Sequence, residues 1–112
     1  NYDAESVEIA SQEMEKAGIN PCLMIDFSHA NSRKQFKKQL DVAQDVAGQV
    51  SRGDKRIIGA MIESHLVEGN QRLEAGKPLT YGQSITDACI SWDDSVKALH
   101  ALAEAVRKRR EH

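Results

Sequence analysis

Apolar residues recur at Val7, Ala10, Met14 and Ala17 behind Asp3. That period predicts a helix, with Asp3 placed to cap it and Gly18 to stop it. Asn20-Pro21 reads as a turn, and Cys22-Leu23-Met24-Ile25 as a buried strand running into Asp26-Phe27-Ser28-His29. A second helix is expected from Asn31 or Ser32, because Ser32 and Gln35 have capping-box spacing. Its inner stripe is Phe36, Leu40, Ala43, Ala47 and Val50, and Gly53 ends it. Arg56 to Glu63 reads as a second buried strand, the polar stretch from Ser64 to Gln83 as a long loop, and Ser84 to Ala88 as a short third strand. A last helix begins near Asp93 or Asp94 and turns Val96, Leu99, Leu102 and Val106 inward.

The order is therefore α-β-α-β-loop-β-α. Apolar strands alternating with helices imply an α/β fold with a parallel sheet covered by helices. The 112 residues form a single segment, too short for a complete (β/α) barrel of about 250 residues. Hydrophobic residues at 40% and charged residues at 29% exclude a disordered chain, and aromatics at 4% require an aliphatic core. With 17 acids against 15 bases, nothing draws the chain to nucleic acid or anionic lipid. No apolar run approaches the ~20 residues of a membrane span, and no stretch reads as a signal peptide. Cys22 and Cys89 each lie in an apolar stretch without CxxC or metal-motif spacing. They read as buried free thiols, which fits a reducing cytoplasm.

Each strand ends in ligand-type residues: Asp26, Ser28 and His29 after the first, Glu63, Ser64 and His65 after the second, Thr86 and Asp87 after the third. In parallel α/β folds the carboxyl ends of the strands form the active-site rim. One imidazole and two carboxylates from adjacent strands, His29, Glu63 and Asp87, suit a divalent ion such as Mn²⁺, Fe²⁺, Co²⁺ or Zn²⁺. The plainer alternative is that they cap strand ends or pair with nearby bases. The Ser64–Gln83 loop is either a solvated excursion or an active-site-face loop. Arg33, Lys34, Lys37 and Lys38 are a solvated helix face or a lure for an anionic ligand or acidic neighbour. The tail Arg107-Lys108-Arg109-Arg110 offsets a helix dipole, and His100 and His112 receive no role.

Three segments carry a family resemblance: MIDFSHANSRKQFKKQ (Met24 to Gln39), IIGAMIESHLVEGNQ (Ile57 to Gln71) and YGQSITDACISW (Tyr81 to Trp92). Together with Asn1-Tyr2 they resemble the C-terminal third of class I 3-deoxy-7-phosphoheptulonate (DAHP) synthases, in order and over essentially the whole chain. His65-Leu66-Val67-Glu68-Gly69 looks most like the phenylalanine-sensitive type. The resemblance implies a (β/α)8 barrel, of which this chain would be strands six to eight with their helices. It implies condensation of phosphoenolpyruvate with erythrose 4-phosphate, releasing phosphate, at the first step of the shikimate pathway to aromatic amino acids. It also implies a metal held by Cys, His, Glu and Asp, the last three matching His29, Glu63 and Asp87. In the family the thiolate and most phosphate-binding Arg and Lys residues lie upstream of the matched region, and neither Cys22 nor Cys89 matches the thiolate.

An enzyme segment, inactive alone, is therefore expected; a non-catalytic stand-alone α/β module is the alternative. Three strands cut from a barrel would leave open edges and uncover interior side chains, including some of Leu23, Ile25, Ile57, Met61 and Ile85. Such edges and patches predict self-association, hence a homo-oligomer.

Overall fold

The computed structural model describes residues 1–112. Its first helix, α1 (Ala4–Lys16), is capped by the Asp3 carboxylate, which accepts from the Ser6 amide. Gly18 follows it in the left-handed region (φ 75°), where only glycine is free of a Cβ penalty. Next come β1 (Leu23–Asp26), two 3₁₀ turns (His29–Ser32 and Phe36–Lys38), α2 (Gln39–Ser51) and β2 (Ile57–Met61). β3 (Val67–Asn70), β4 (Gln83–Ser84) and α3 (Trp92–Arg109) complete the order. No helix is long and apolar enough to cross a membrane.

β1 and β2 pair in parallel, from Leu23 beside Ile57 to Asp26 beside Met61, and the register skips Ile58. β3 and β4 form a separate parallel pair. α2 and α3 pack on one side of β1 and β2. Val42, Ala43, Val46, Ala47 and Val50 of α2 meet Ala98 and Ala105 of α3 over Ile25, Phe27 and Ile57, with Val7 of α1 closing the end. The alanines let the helices approach closely, so an almost purely aliphatic core suffices. Gln49 ties the amino-terminal segment to α2 by donating to the Tyr2 carbonyl at 2.8 Å.

Several elements differ from the sequence expectation. The Ser32–Gln35 capping box does not form; the Ser32 hydroxyl instead donates to the His29 carbonyl at 3.2 Å. Arg33 and Lys34 are both left-handed (φ 53° and 58°), so the helix cannot start until the chain has turned, at Gln39. α3 starts at Trp92, because Ser91 rather than an aspartate caps it, and Asp93 and Asp94 fall in the dipole-favoured first turn. The Ser64–Gln83 stretch contains β3. The expected third strand pairs only at Gln83–Ser84; the chain then bridges later, with Cys89 beside Gly69 and Ile90 beside Ser64. Leu99 is 55% exposed rather than inward. Cys22 is exposed, and only Cys89 is buried.

The sheet faces are also reassigned. Of the residues some of which were expected to be uncovered, Leu23, Ile25 and Ile57 lie under the helices; Met24 (66% exposed) is bare on the other side, and Ile58 (67%) is exposed at the margin of the helix-covered face. With Ile85 also exposed, the molecule is a slab 18 Å thick, one helix layer on one sheet layer. Its radius of gyration of 16.4 Å exceeds the about 13 Å usual for a domain of this length.

A charged clamp holds the start of β2. Arg56 donates to Asp54 at 2.9 Å and to Glu8 of α1 at 2.5 Å, and Arg109 of α3 donates to the Asp54 and Ile57 carbonyls, each at 3.1 Å. Hydrogen bonding to Arg56 holds both the Asp54 and Glu8 carboxyls below their usual range. A depressed folded pKa contributes stability that is present above the unfolded carboxylate value and lost as pH falls through the folded one. Urea unfolding should therefore show wild-type stability falling on acidification below about pH 4. Arg56→Met should lower stability at pH 7 and flatten that acid loss; equal acid sensitivity in the two proteins would refute the clamp.

Candidate metal centre

The site is assembled where β1 and β2 end and where the chain runs from β4 to the Cys89–Ile90 segment. Beyond Asp26 the chain turns out of the sheet, and His29 takes φ 54°, a conformation few non-glycine residues adopt. The turn is knit to Asp26. Its Oδ1 accepts from the Ser28 amide at 2.8 Å and the Ser28 hydroxyl at 2.7 Å, and Asn31 donates to the Asp26 carbonyl at 2.8 Å. His29 Nδ1 lies 3.0 Å from Asp26 Oδ2 and 2.8 Å from Ser28 Oγ. Since the Ser28 proton points at Asp26, this network assigns the ring proton to Nδ1 and leaves the Nε2 lone pair facing the site.

Electrostatics follow from that geometry. Partial burial pushes the Asp26 carboxyl up, but the hydrogen bonds from Ser28 and His29 outweigh it and hold the group below its usual range. The hydrogen bond to Asp26, reinforced by the charges of Asp26, Glu63 and Asp87, raises His29 above an ordinary imidazole. Positive charge is favoured at this spot.

Glu63 is fixed through its backbone. Its amide donates to Gln39 Oε1 at 2.8 Å, while its carbonyl accepts from Gln39 Nε2 and from the Ile90 amide, each at 3.0 Å. Asp87 follows a peptide held by Asn70, which donates to the Thr86 carbonyl at 2.9 Å. His29 Nε2 and Asp87 Oδ2 are 3.7 Å apart, and one ligand atom from each of His29, Glu63 and Asp87 lies within 4.8 Å of the other two. Donors bound to one ion at 2.0–2.2 Å are at most about 4.4 Å apart, so the three stand close to the spacing that a common ion would require. One nitrogen and two carboxylate oxygens suit Mn²⁺, Fe²⁺, Co²⁺ or Zn²⁺ and leave coordination positions open. The trio borders a cavity of about 320 Å³, which Lys34, Phe36 and Asn70 also line.

The three residues picked from strand ends are thus brought together. His65 is not among them: it is exposed, and its Nδ1 accepts from the Leu66 amide. Cys89 stays outside the cluster, its thiol pushed up by burial and by the charges of Glu63 and Asp87. Of the basic residues, Lys34 reaches the cavity, whereas Lys37 pairs with Glu68 at 3.6 Å. The supporting role of Asp26 was detectable as a carboxylate three residues before a strand-end histidine. Gln39 was detectable as a polar residue on an apolar helix stripe.

Comparison with known proteins gives the family. Residues 1–100 match the sequence profile of the DAHP synthetase I family. The chain is 59% identical over 110 residues to the Phe-sensitive phospho-2-dehydro-3-deoxyheptonate aldolase of Escherichia coli K12, covering 98% of this chain and 31% of that protein. It is 47% identical to the tyrosine-inhibited aldolase of Schizosaccharomyces pombe, covering 100% of this chain and again 31% of the relative. Its fold superposes on the phospho-2-dehydro-3-deoxyheptonate aldolase of Francisella tularensis with a TM-score of 0.92, 47% identity and 97% coverage of this chain. The chain spans about 31% of the length of these relatives. An α/β fold with parallel strands, strand-end chemistry and a match over most of its residues place the chain in the DAHP synthetase I family.

Proposed function

We propose that residues 1–112 are one continuous C-terminal segment, strands six to eight with their helices, of a (β/α)8 DAHP synthase barrel. The match to 31% of each relative supports this, as does the bare sheet face at Met24, which the remaining strands would cover. The whole enzyme joins phosphoenolpyruvate to erythrose 4-phosphate: the enol carbon bonds to the aldehyde carbon, water adds at the neighbouring carbon, and phosphate leaves. The site is cytoplasmic, where Cys22 and Cys89 remain thiols, and the enzyme works as a homo-oligomer.

The observation that carries the reading is the convergence of His29, Glu63 and Asp87 donor atoms within 4.8 Å at the strand ends. These three residues would hold a divalent ion, which when bound supplies Lewis-acid polarisation of the aldehyde oxygen. Asp26 holds the imidazole so that Nε2, not Nδ1, faces the site. Lys34 places a cation on the cavity wall, suited to the phosphate and carboxylate groups of both substrates. Asp87, 69% exposed at its side chain, stands on the substrate side and orients a sugar hydroxyl.

In the full-length protein, His29→Ala should abolish turnover and Mn²⁺ binding while leaving the melting temperature nearly unchanged, since this exposed side chain contributes nothing to the core. Asp26→Asn should weaken Mn²⁺ binding roughly 10–100-fold. Full metal affinity in His29→Ala, measured by titration, would remove the trio from the site.

The isolated 112 residues should release no phosphate from the two substrates, even with Mn²⁺, because the groups that position the substrates for an effectively intramolecular reaction are missing. They should also sediment as an associated species at low micromolar concentration, through the bare face at Met24 and the open edges of the β1–β2 sheet. Turnover by a pure sample, or a stable dispersed monomer, would favour a self-sufficient module instead.

A further inference from the structure

Gln39 occupies an unusual position for a glutamine. It is the first residue of α2 and is 1% exposed, as deeply buried as the valines of the core. Its side-chain amide makes both of its hydrogen bonds to a single residue, Glu63: Oε1 accepts from the Glu63 amide and Nε2 donates to the Glu63 carbonyl. That is the bonding a neighbouring strand would provide.

The need for it arises from the end of β1. The last backbone bond between the strands runs from the Phe27 amide to the Met61 carbonyl at 2.9 Å. The chain then turns away so that His29 can face the site. Glu63, two residues beyond Met61, has no strand partner for its amide, although its carbonyl also accepts from the Ile90 amide. An unpaired amide there is costly and leaves the strand end free to shift.

We infer that Gln39 is a positioning residue: its amide substitutes for the missing strand at Glu63 and thereby aims the Glu63 carboxylate at the metal trio. A primary amide of this length is specific to the task. Asparagine is one methylene short, an ionised glutamate has no donor, and methionine has the volume without the polar atoms. The inference rests on the reading of His29, Glu63 and Asp87 as metal ligands, and the two can fail separately.

The test is Mn²⁺ titration and thermal unfolding of the full-length protein in four forms: wild type, Gln39→Met, Gln39→Asn and Val46→Ala. Val46 is fully buried in α2 and bonds nothing at the site, so Val46→Ala reports loss of packing alone. Both Gln39 variants should weaken Mn²⁺ binding roughly 10–100-fold, the range for residues that hold a ligand in place. Val46→Ala should lower the melting temperature and bind Mn²⁺ as wild type does. Should Gln39→Met fail to fold, Gln39→Asn, which keeps a polar amide near the strand end, decides the matter. Wild-type affinity in a folded Gln39 variant would overturn the positioning role while leaving the metal reading intact. A wild-type protein that binds no Mn²⁺ would overturn the metal reading, and the role of Gln39 with it.

Discussion

The parallel pairing of β1 with β2 stops at Asp26 and Met61, and the site is a consequence of where it stops. A longer ladder would keep the residues after Asp26 extended, their side chains alternating between the two faces. Instead the chain breaks out at once. His29 accepts a left-handed conformation, and Arg33 and Lys34 follow suit within the same turn. Each such residue carries a conformational cost of about 1 kcal/mol or more. The network of Asp26, Ser28 and Asn31 offsets it and fixes the direction of the imidazole. The vacancy beside Glu63 left by the departing strand is filled by a side chain from α2. One short ladder thus accounts for the turn, the buried glutamine and the convergence of the three ligand-type residues.

Charge runs in the same direction as geometry. Asp26, Glu63 and Asp87 surround His29, and Lys34 is the cationic side chain on the cavity wall. Carboxylates so close repel one another unless something positive sits among them. The raised affinity of His29 for a proton is one expression of that demand; a divalent ion would answer it more fully, leaving Nε2 as a donor rather than an acid. The carboxylates are kept together by backbone anchors, Gln39 and Ile90 at Glu63 and Asn70 next to Asp87, which hold them close against their mutual repulsion.

How much of this was legible in the amino-acid order depends on how local each cause is. α1 and the body of α3 could be read directly, because Asp3, Gly18 and the aliphatic period act within a few residues. β1 and β2 were legible as apolar runs, and His29, Glu63 and Asp87 as their polar ends. The start of α2 was not, since nothing in Arg33-Lys34 announces left-handed backbone and Ser32-Gln35 mimics a cap. The third strand was misplaced for a related reason: Ile85 and Thr86 have strand-forming side chains, but pairing went to Cys89 and Ile90, whose partners Gly69 and Ser64 are distant in sequence. β3 escaped notice because Val67-Glu68-Gly69-Asn70 has no apolar run, and Gly69 takes φ 84°.

The two faces of the β1–β2 sheet divide the work. Leu23, Ile25, Phe27, Ala60 and Ile62 pack toward the helices; Met24, Asp26, Gly59, Met61 and Glu63 alternate with them on the other side. Gly59 leaves room there for Met24, whose Cγ would lie 3.3 Å from a Cβ at that position. Core and chemistry thus occupy opposite sides, and a substitution at His29 or Asp87 changes the site without opening a hole under the helices. Gln39 is the exception, buried with the core residues of α2 yet bonded to the strand end that bears Glu63. It is where helix packing and ligand placement are joined. A shift of α2 against the sheet would reach the site first through that amide, moving Glu63 before it moved His29, whose own restraints lie within Asp26 to Asn31.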